Sequence, residues 1–255
     1  MVETGQWAVA LHIAVAAASG VVFLVAQPAR PARLQDYRGP MAALGGWAYW
    51  VTRPVLGAAR VLRLSPAAVS GGGVALSVAA GVLAGLGAFG WAGVALLWGS
   101  AADLLDGELA RSTGTSSRAG AFLDSNLDRV SEFAVLSGLG FVLHPERAGV
   151  VCAVGALAAS FMVSYARARG EGLGVACPPF GLERPHRMAL LIFSLLAATF
   201  LSARAAAELL TYACGTVALG AGLTALGRMV IIHQLLRRGG EPSPGWRETP
   251  PRAAP

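Results

Sequence analysis

Apolar runs of about 20 residues recur along the chain, each long enough to cross a hydrocarbon core of about 30 Å as a helix. They are read over residues 7–26, 66–89, 91–110, 119–143, 148–168, 185–201 and 206–233. Lipid offers the backbone no hydrogen-bond partners, so a chain with this many such runs must fold as helices packed on helices. The expected class is an all-α integral membrane protein: a six-helix transmembrane core, an interfacial helix before it and one extra N-terminal transmembrane helix.

Composition closes off the other classes. Of 255 residues, 55% are hydrophobic and 13% charged, and the mean hydropathy is +0.59, which excludes a soluble, disordered, fibrous or disulfide-framed secreted chain. All 20 basic residues are Arg, which removes lysine nucleophiles and Schiff bases. Cys152, Cys177 and Cys214 are widely spaced, and so are His12, His144, His186 and His233. Neither set has the clustered spacing of a zinc or redox site, and packing is the expected role of the cysteines. The expected partners are the bilayer and small molecules, with no nucleic acid.

The first run follows only Glu3 and no basic residue, which favours an anchor over a secretory leader. Arg30, Arg33 and Arg38 come next and place that side in the cytoplasm. Residues 40–64 mix Trp47, Tyr49 and Trp50 with Arg53, Arg60 and Arg63. On a helix those three arginines span an arc of about 80°, which predicts an amphipathic helix lying at the interface. The links near Arg111 and Arg118 and between Arg167 and Arg187 then face inside, whereas the outer links hold Gly90, a turn from His144 to Arg147, and Arg204. Arginine placement and helix parity agree. The expected location is the cell inner membrane, multi-pass, with any cytoplasmic site on the arginine-rich side. The divisions expected are 1–39 (extra span and basic linker), 40–64 (interfacial helix), 65–238 (core) and 239–255 (a disordered tail rich in Pro, Gly and charge).

Six of the fourteen acidic residues lie between Asp103 and Glu132, where charge beside a membrane helix is costly and marks function. Asp103 and Asp106 are spaced i,i+3 and Asp124 and Asp128 i,i+4, so each pair shares one face of its helix. Four carboxylates in one cleft must be protonated, paired or bound to cations. Only Arg111, Arg118 and Arg129 lie near in sequence to neutralise six acids, which argues against simple salt bridges. All-oxygen ligands favour Mg²⁺, Mn²⁺ or Ca²⁺ over zinc or copper, and two such ions can hold a pyrophosphate and stabilise both the attacking and departing oxygens. Gly107 and Ala110 leave room beside the helix, and Arg111 offers a fork of donors to phosphate.

The pattern Asp103-x2-Asp106-Gly107-x2-Ala110-Arg111-x8-Gly120-x3-Asp124-x3-Asp128 resembles the signature of the CDP-alcohol phosphatidyltransferases, membrane enzymes of phospholipid synthesis. Every fixed position and spacing matches, over a resemblance that extends from about residue 64 to 236. It implies a six-span core with a cytoplasmic site, two Mg²⁺ or Mn²⁺ ions, and a homodimer. Asp103, Asp106 and Asp124 would be metal ligands, Asp106 bridging, and Asp128 both ligand and general base. Gly107, Ala110, Arg111, Ser117 and Gly120 would contact the CDP-lipid, together with Pro66, Ala67, Ala68 and Val69, although alanine stands there where the family often has a polar residue. The implied reaction transfers a phosphatidyl group from CDP-diacylglycerol to an alcohol and releases CMP.

A second polar cluster carries four arginines in 21 residues, Arg167 to Arg187. On composition it serves equally as a topology signal or as a phosphate site. Ser164-Tyr165-x-Arg167-Ala168-Arg169 followed by Glu183-Arg184-Pro185 resembles the acceptor region of the phosphatidylinositol phosphate synthases. That resemblance implies inositol 1-phosphate as acceptor, bound by Ser164, Arg167 and Arg184, with Arg167 where lysine is common. Glycerol 3-phosphate is the alternative acceptor, and a non-catalytic lipid-binding protein the alternative of another class.

Overall fold

The computed structural model describes residues 2–26, 40–177 and 179–238. These form eight helices, α1 (Val2–Ala26), α2 (Pro40–Val61), α3 (Pro66–Gly85), α4 (Phe89–Ser112), α5 (Arg118–Val142), α6 (Arg147–Gly172), α7 (Arg184–Ala198) and α8 (Ala203–Arg237). No strand occurs among the described residues. The linker bearing Arg30, Arg33 and Arg38 and the tail from 239 onward lie outside them.

By length and composition four helices can cross a membrane: Glu3–Ala26 in α1, then α3, α6 and α8. The sequence reading expects seven spans. The other three, α4, α5 and α7, complete the six-helix core α3 to α8, but α4 and α5 carry the acidic cluster and α7 has only 15 residues. One boundary differs. The apolar run 66–89 hides a turn, Leu86 to Ala88, in which Gly87 takes the left-handed conformation at φ +74°. Its residues are as apolar as the helix, so hydropathy passes over it. Gly90, expected in an outer link, instead lies in the first turn of α4, where a Cβ would stand 2.9 Å from the Gly5 carbonyl oxygen of α1.

The acidic helices α4 and α5 pack chiefly on α3 rather than on each other. α3 serves because it is nearly bare: Gly73, Ser77, Ala80, Gly81 and Ala84 are its buried residues. A Cβ on Gly81 would overlap the Ala134 carbonyl, and one on Gly138 the Gly81 carbonyl. The pair Gly81 and Gly85 therefore closes an interhelical contact within the chain. Behind this trio, Leu96, Leu136, Leu139, Leu191, Leu195 and Leu210 form the centre of the core, where Cys214 is also buried.

α1 is docked rather than loose. Trp98 Nε1 donates to His12 Nε2 at 3.0 Å, so the ring proton sits on Nδ1 and is given to the Ala8 carbonyl at 2.8 Å. Trp91 Nε1 donates to Thr4 Oγ1, Gln6 Nε2 to the Thr199 carbonyl, and Trp47 Nε1 to Ser19 Oγ, each at 3.2–3.3 Å. In an apolar surround such bonds have no competing water. α2 buries Leu56 and Ala59 against Leu105 and Leu109 of α4 and leaves Arg53 and Arg60 exposed, as suits an interfacial helix; it ends at Val61, short of the expected 64, and Arg63 lies beyond it in the left-handed conformation at φ +52°.

Candidate functional site

α4 brings Asp103 and Asp106 to its C-terminal half and α5 brings Asp124 and Asp128 to its N-terminal half. The link between them turns at Gly114, φ +68°, and Thr113 Oγ1 closes α4 by donating to the Leu109 carbonyl at 2.8 Å. Ser117 caps α5, its Oγ accepting the Gly120 amide at 3.0 Å. The result is a half-open cleft of about 410 Å³ between α3, α4 and the start of α5. A helix N-terminus favours an anion there.

Of the residues expected to hold the CDP-lipid, Pro66, Ala67, Gly107, Ala110, Arg111, Ser117 and Gly120 line this cleft. Ala68 and Val69 lie off it: Val69 packs on the Leu56, Ala59, Leu105 and Leu109 group, and the Ala68 amide is held by the α3 cap Ser65 at 3.1 Å. Arg111, paired with Glu108 at 3.1 Å, lies over Gly107, where a Cβ would meet Arg111 Nη1 at 3.3 Å. Ser70 is a site residue that the sequence reading passes over. Its hydroxyl donates to Asp106 Oδ2 and it lines the cleft. Its signal was a lone hydroxyl four residues after Pro66, on the same helix face.

Carboxylate oxygens of Asp103, Asp106 and Asp124 lie within 4.8 Å of one another. Three hard oxygen donors at that spacing fit a divalent cation such as Mg²⁺ or Mn²⁺. Asp128 stands deeper, on a crevice shared with Asp103, Asp106 and Asp124. Arg184 of α7 reaches both ends of the set: its Nη1 is 2.8 Å from Asp103 Oδ2 and 2.8 Å from Asp128 Oδ1. Arg129 lies 3.8 Å from Asp128.

Local arginine counting therefore missed most of the neutralising charge, because it arrives from α7. Arg187 binds Glu132 in bidentate fashion at 2.7 and 3.1 Å across 55 residues of sequence, and gives its third donor to the Leu182 carbonyl at 2.9 Å. Both side chains are buried, at 1% and 2% exposure. A second buried arginine, Arg228 of α8, pairs with Glu183 and donates to the Val163 carbonyl at 3.0 Å. Burial alone would raise the Glu183 carboxyl, but the Phe180 amide and the Arg228 guanidinium hold it below its ordinary range. Of the expected acceptor residues, only Arg184 reaches the aspartates. Arg167 pairs with Glu171 at 2.8 Å on an exposed face, and Ser164 is half-buried on α6 beside Val163.

The model of the CDP-alcohol phosphatidyltransferase family matches residues 63–226. The chain belongs to the CDP-alcohol phosphatidyltransferase family. It is therefore a transferase of phospholipid synthesis, and the match takes in all six core helices except the end of α8. A phosphatidylinositol phosphate synthase of Streptomyces avermitilis is 38% identical over 178 residues, 63% of this chain and 71% of that protein. An archaetidylinositol phosphate synthase of Pyrococcus horikoshii is 38% identical over 104 residues, 40% of this chain and 53% of that one. Among solved structures, Mycobacterium tuberculosis phosphatidylinositol phosphate synthase with CDP-DAG bound superposes with a TM-score of 0.65 at 26% identity, covering 71% of this chain and 93% of that chain. The same enzyme in complex with manganese and citrate gives 0.65 over 71% and 88%. In this phosphatidyltransferase the aspartate signature thus lies on a fold shared with proteins that hold a CDP-lipid and a divalent metal.

Proposed function

We propose that this phosphatidyltransferase moves the phosphatidyl group of CDP-diacylglycerol to inositol 1-phosphate and releases CMP. The observation that carries the reading is the convergence of Asp103, Asp106, Asp124 and Asp128 with Arg184 beside a 410 Å³ cleft floored by Gly107 and Arg111. Relatives named for inositol phosphate lipids in both bacteria and archaea support the acceptor.

In the cleft Arg111 and the capped start of α5 hold the diphosphate, and Gly107 and Ala110 leave space for the nucleotide. Two Mg²⁺ or Mn²⁺ ions held by Asp103, Asp106, Asp124 and Asp128 would neutralise the diphosphate and the leaving phosphate. Asp128 takes the proton of the acceptor hydroxyl. The acceptor oxygen then bonds the lipid-side phosphorus as the bond from that phosphorus to the CMP oxygen breaks, and the electron pair leaves with CMP. Arg184 and Arg167, with Ser164, bind the acceptor phosphate. Arginine placement supports a site at the cytoplasmic face of the cell inner membrane, and the family resemblance supports a homodimer.

The test is CMP release by purified protein with CDP-diacylglycerol and a panel of acceptors. Inositol 1-phosphate should turn over and free inositol should be poor, because the charge-assisted bonds to its phosphate are worth about 1.5–3 kcal/mol each. Turnover with glycerol 3-phosphate alone would replace the acceptor and leave the transfer chemistry in place.

A further inference from the structure

We propose that the Arg184 guanidinium is the built-in counter-cation of one half of the aspartate centre, held between Asp103 and Asp128 until a divalent ion displaces it. The inference rests on the reading of the four aspartates as metal ligands. A single nitrogen, Nη1, stands 2.8 Å from a carboxylate of α4 and 2.8 Å from a carboxylate of α5, which is the bridging position of a cation. The other half is open: Asp106 and Asp124 have no arginine within ion-pair distance among the described residues. Their oxygens gather with those of Asp103 within 4.8 Å. Three carboxylates thus gather at a spacing that fits a cation, Asp103 among them while also bonded to Arg184, and Asp128 stands outside the group on the far side of Arg184 Nη1.

The surroundings of Arg184 favour exchange of its side chain alone. The residues on either side are fixed by buried pairs, Glu183 to Arg228 and Arg187 to Glu132, so the start of α7 is pinned to α8 and α5. The Arg184 Nε is buried with no hydrogen-bond partner among the described residues. Leaving the aspartates therefore breaks the two ion pairs of Nη1, and the freed fork becomes available to an incoming phosphate. Ions should then load unequally: one at Asp103, Asp106 and Asp124, where Arg184 contests one ligand of three, and a weaker one between Asp103 and Asp128, where it must displace Arg184 from both. The guanidinium also keeps the carboxylates from repelling one another before the metal arrives.

Mn²⁺ titration of the purified full chain, without substrates and followed by the electron paramagnetic resonance of free Mn²⁺, separates the possibilities. The parent should bind one ion tightly and a second more weakly. Arg184→Gln, which removes the competing charge and leaves a shorter polar side chain, should tighten the weaker class by about 10-fold or more, the scale of one charge-assisted hydrogen bond. Arg184→Lys, retaining charge but losing the fork, should shift it less, and carries the test if the glutamine variant does not fold. Equal affinities in all three proteins, or weaker binding in the variants, would overturn the proposal and leave the transfer reaction untouched. Absence of Mn²⁺ binding in every protein, the parent included, would overturn both this inference and the metal reading of the aspartates.

Discussion

Asp128→Asn is expected to lower acceptor-dependent CMP release by about 10²-fold to 10⁴-fold, the usual contribution of a positioned general base. The amide keeps the shape of the carboxylate, and its oxygen can still accept from Arg184 Nη1, now 2.8 Å from Asp128 Oδ1. What it loses is the charge and the place to put the acceptor proton. The variant should stay folded and still bind CDP-diacylglycerol, because Gly107, Arg111 and the start of α5 line the cleft and Asp128 does not, standing instead on the adjoining crevice. Rates in single-turnover assays, with lipid binding measured separately, check it. A variant that turns over at nearly the parent rate would remove Asp128 from the chemistry.

The second large effect is on stability. Arg187→Met leaves Glu132 charged and unpaired at 2% side-chain exposure, and breaking a buried pair from one side costs about 3–5 kcal/mol. The protein should unfold at a markedly lower temperature in detergent. Replacing both partners, Glu132→Leu with Arg187→Met, should recover most of the loss, since a well-packed apolar pair is often neutral relative to an ionic one. Recovery should fall short of complete, because the Leu182 carbonyl, which accepts from Arg187 Nη1 at 2.9 Å, loses its donor. A single variant as stable as the parent would show that the pair contributes nothing to the fold.

These two residues mark what the sequence could and could not disclose. The aspartates were legible because their chemistry is local: spacings of three and four residues put each pair on one helix face, whatever the rest of the chain does. The helices were legible from length and hydropathy, to within the turn at Leu86 to Ala88, where an apolar turn between apolar helices leaves no contrast. Arg187 was visible only as positive charge near the inner surface, and Arg184 only as an expected ligand of the acceptor phosphate, not as a partner of the aspartates. Their partners Asp103 and Glu132 stand 81 and 55 residues earlier, and no periodicity links positions so far apart. The role of α3 was hidden for a related reason. Gly81 and Gly85, four residues apart, could close on another helix of the chain or on a second copy, and only the fold shows that α4 and α5 both pack on α3, with Gly81 against Ala134 and Gly138. Ser70 was passed over because one hydroxyl in an apolar helix has no meaning until Asp106 is placed beside it.

The central claim is that the aspartate centre drives transfer from a CDP-lipid to an alcohol. The most direct measurement follows both products at once, in purified protein supplied with CDP-diacylglycerol and inositol 1-phosphate. One CMP is expected for each phosphatidylinositol phosphate formed, none of either in EDTA, and recovery of both with Mg²⁺ or Mn²⁺, because the donors gathered by Asp103, Asp106 and Asp124 are carboxylate oxygens. CMP and lipid product formed at the full rate in chelator would contradict it.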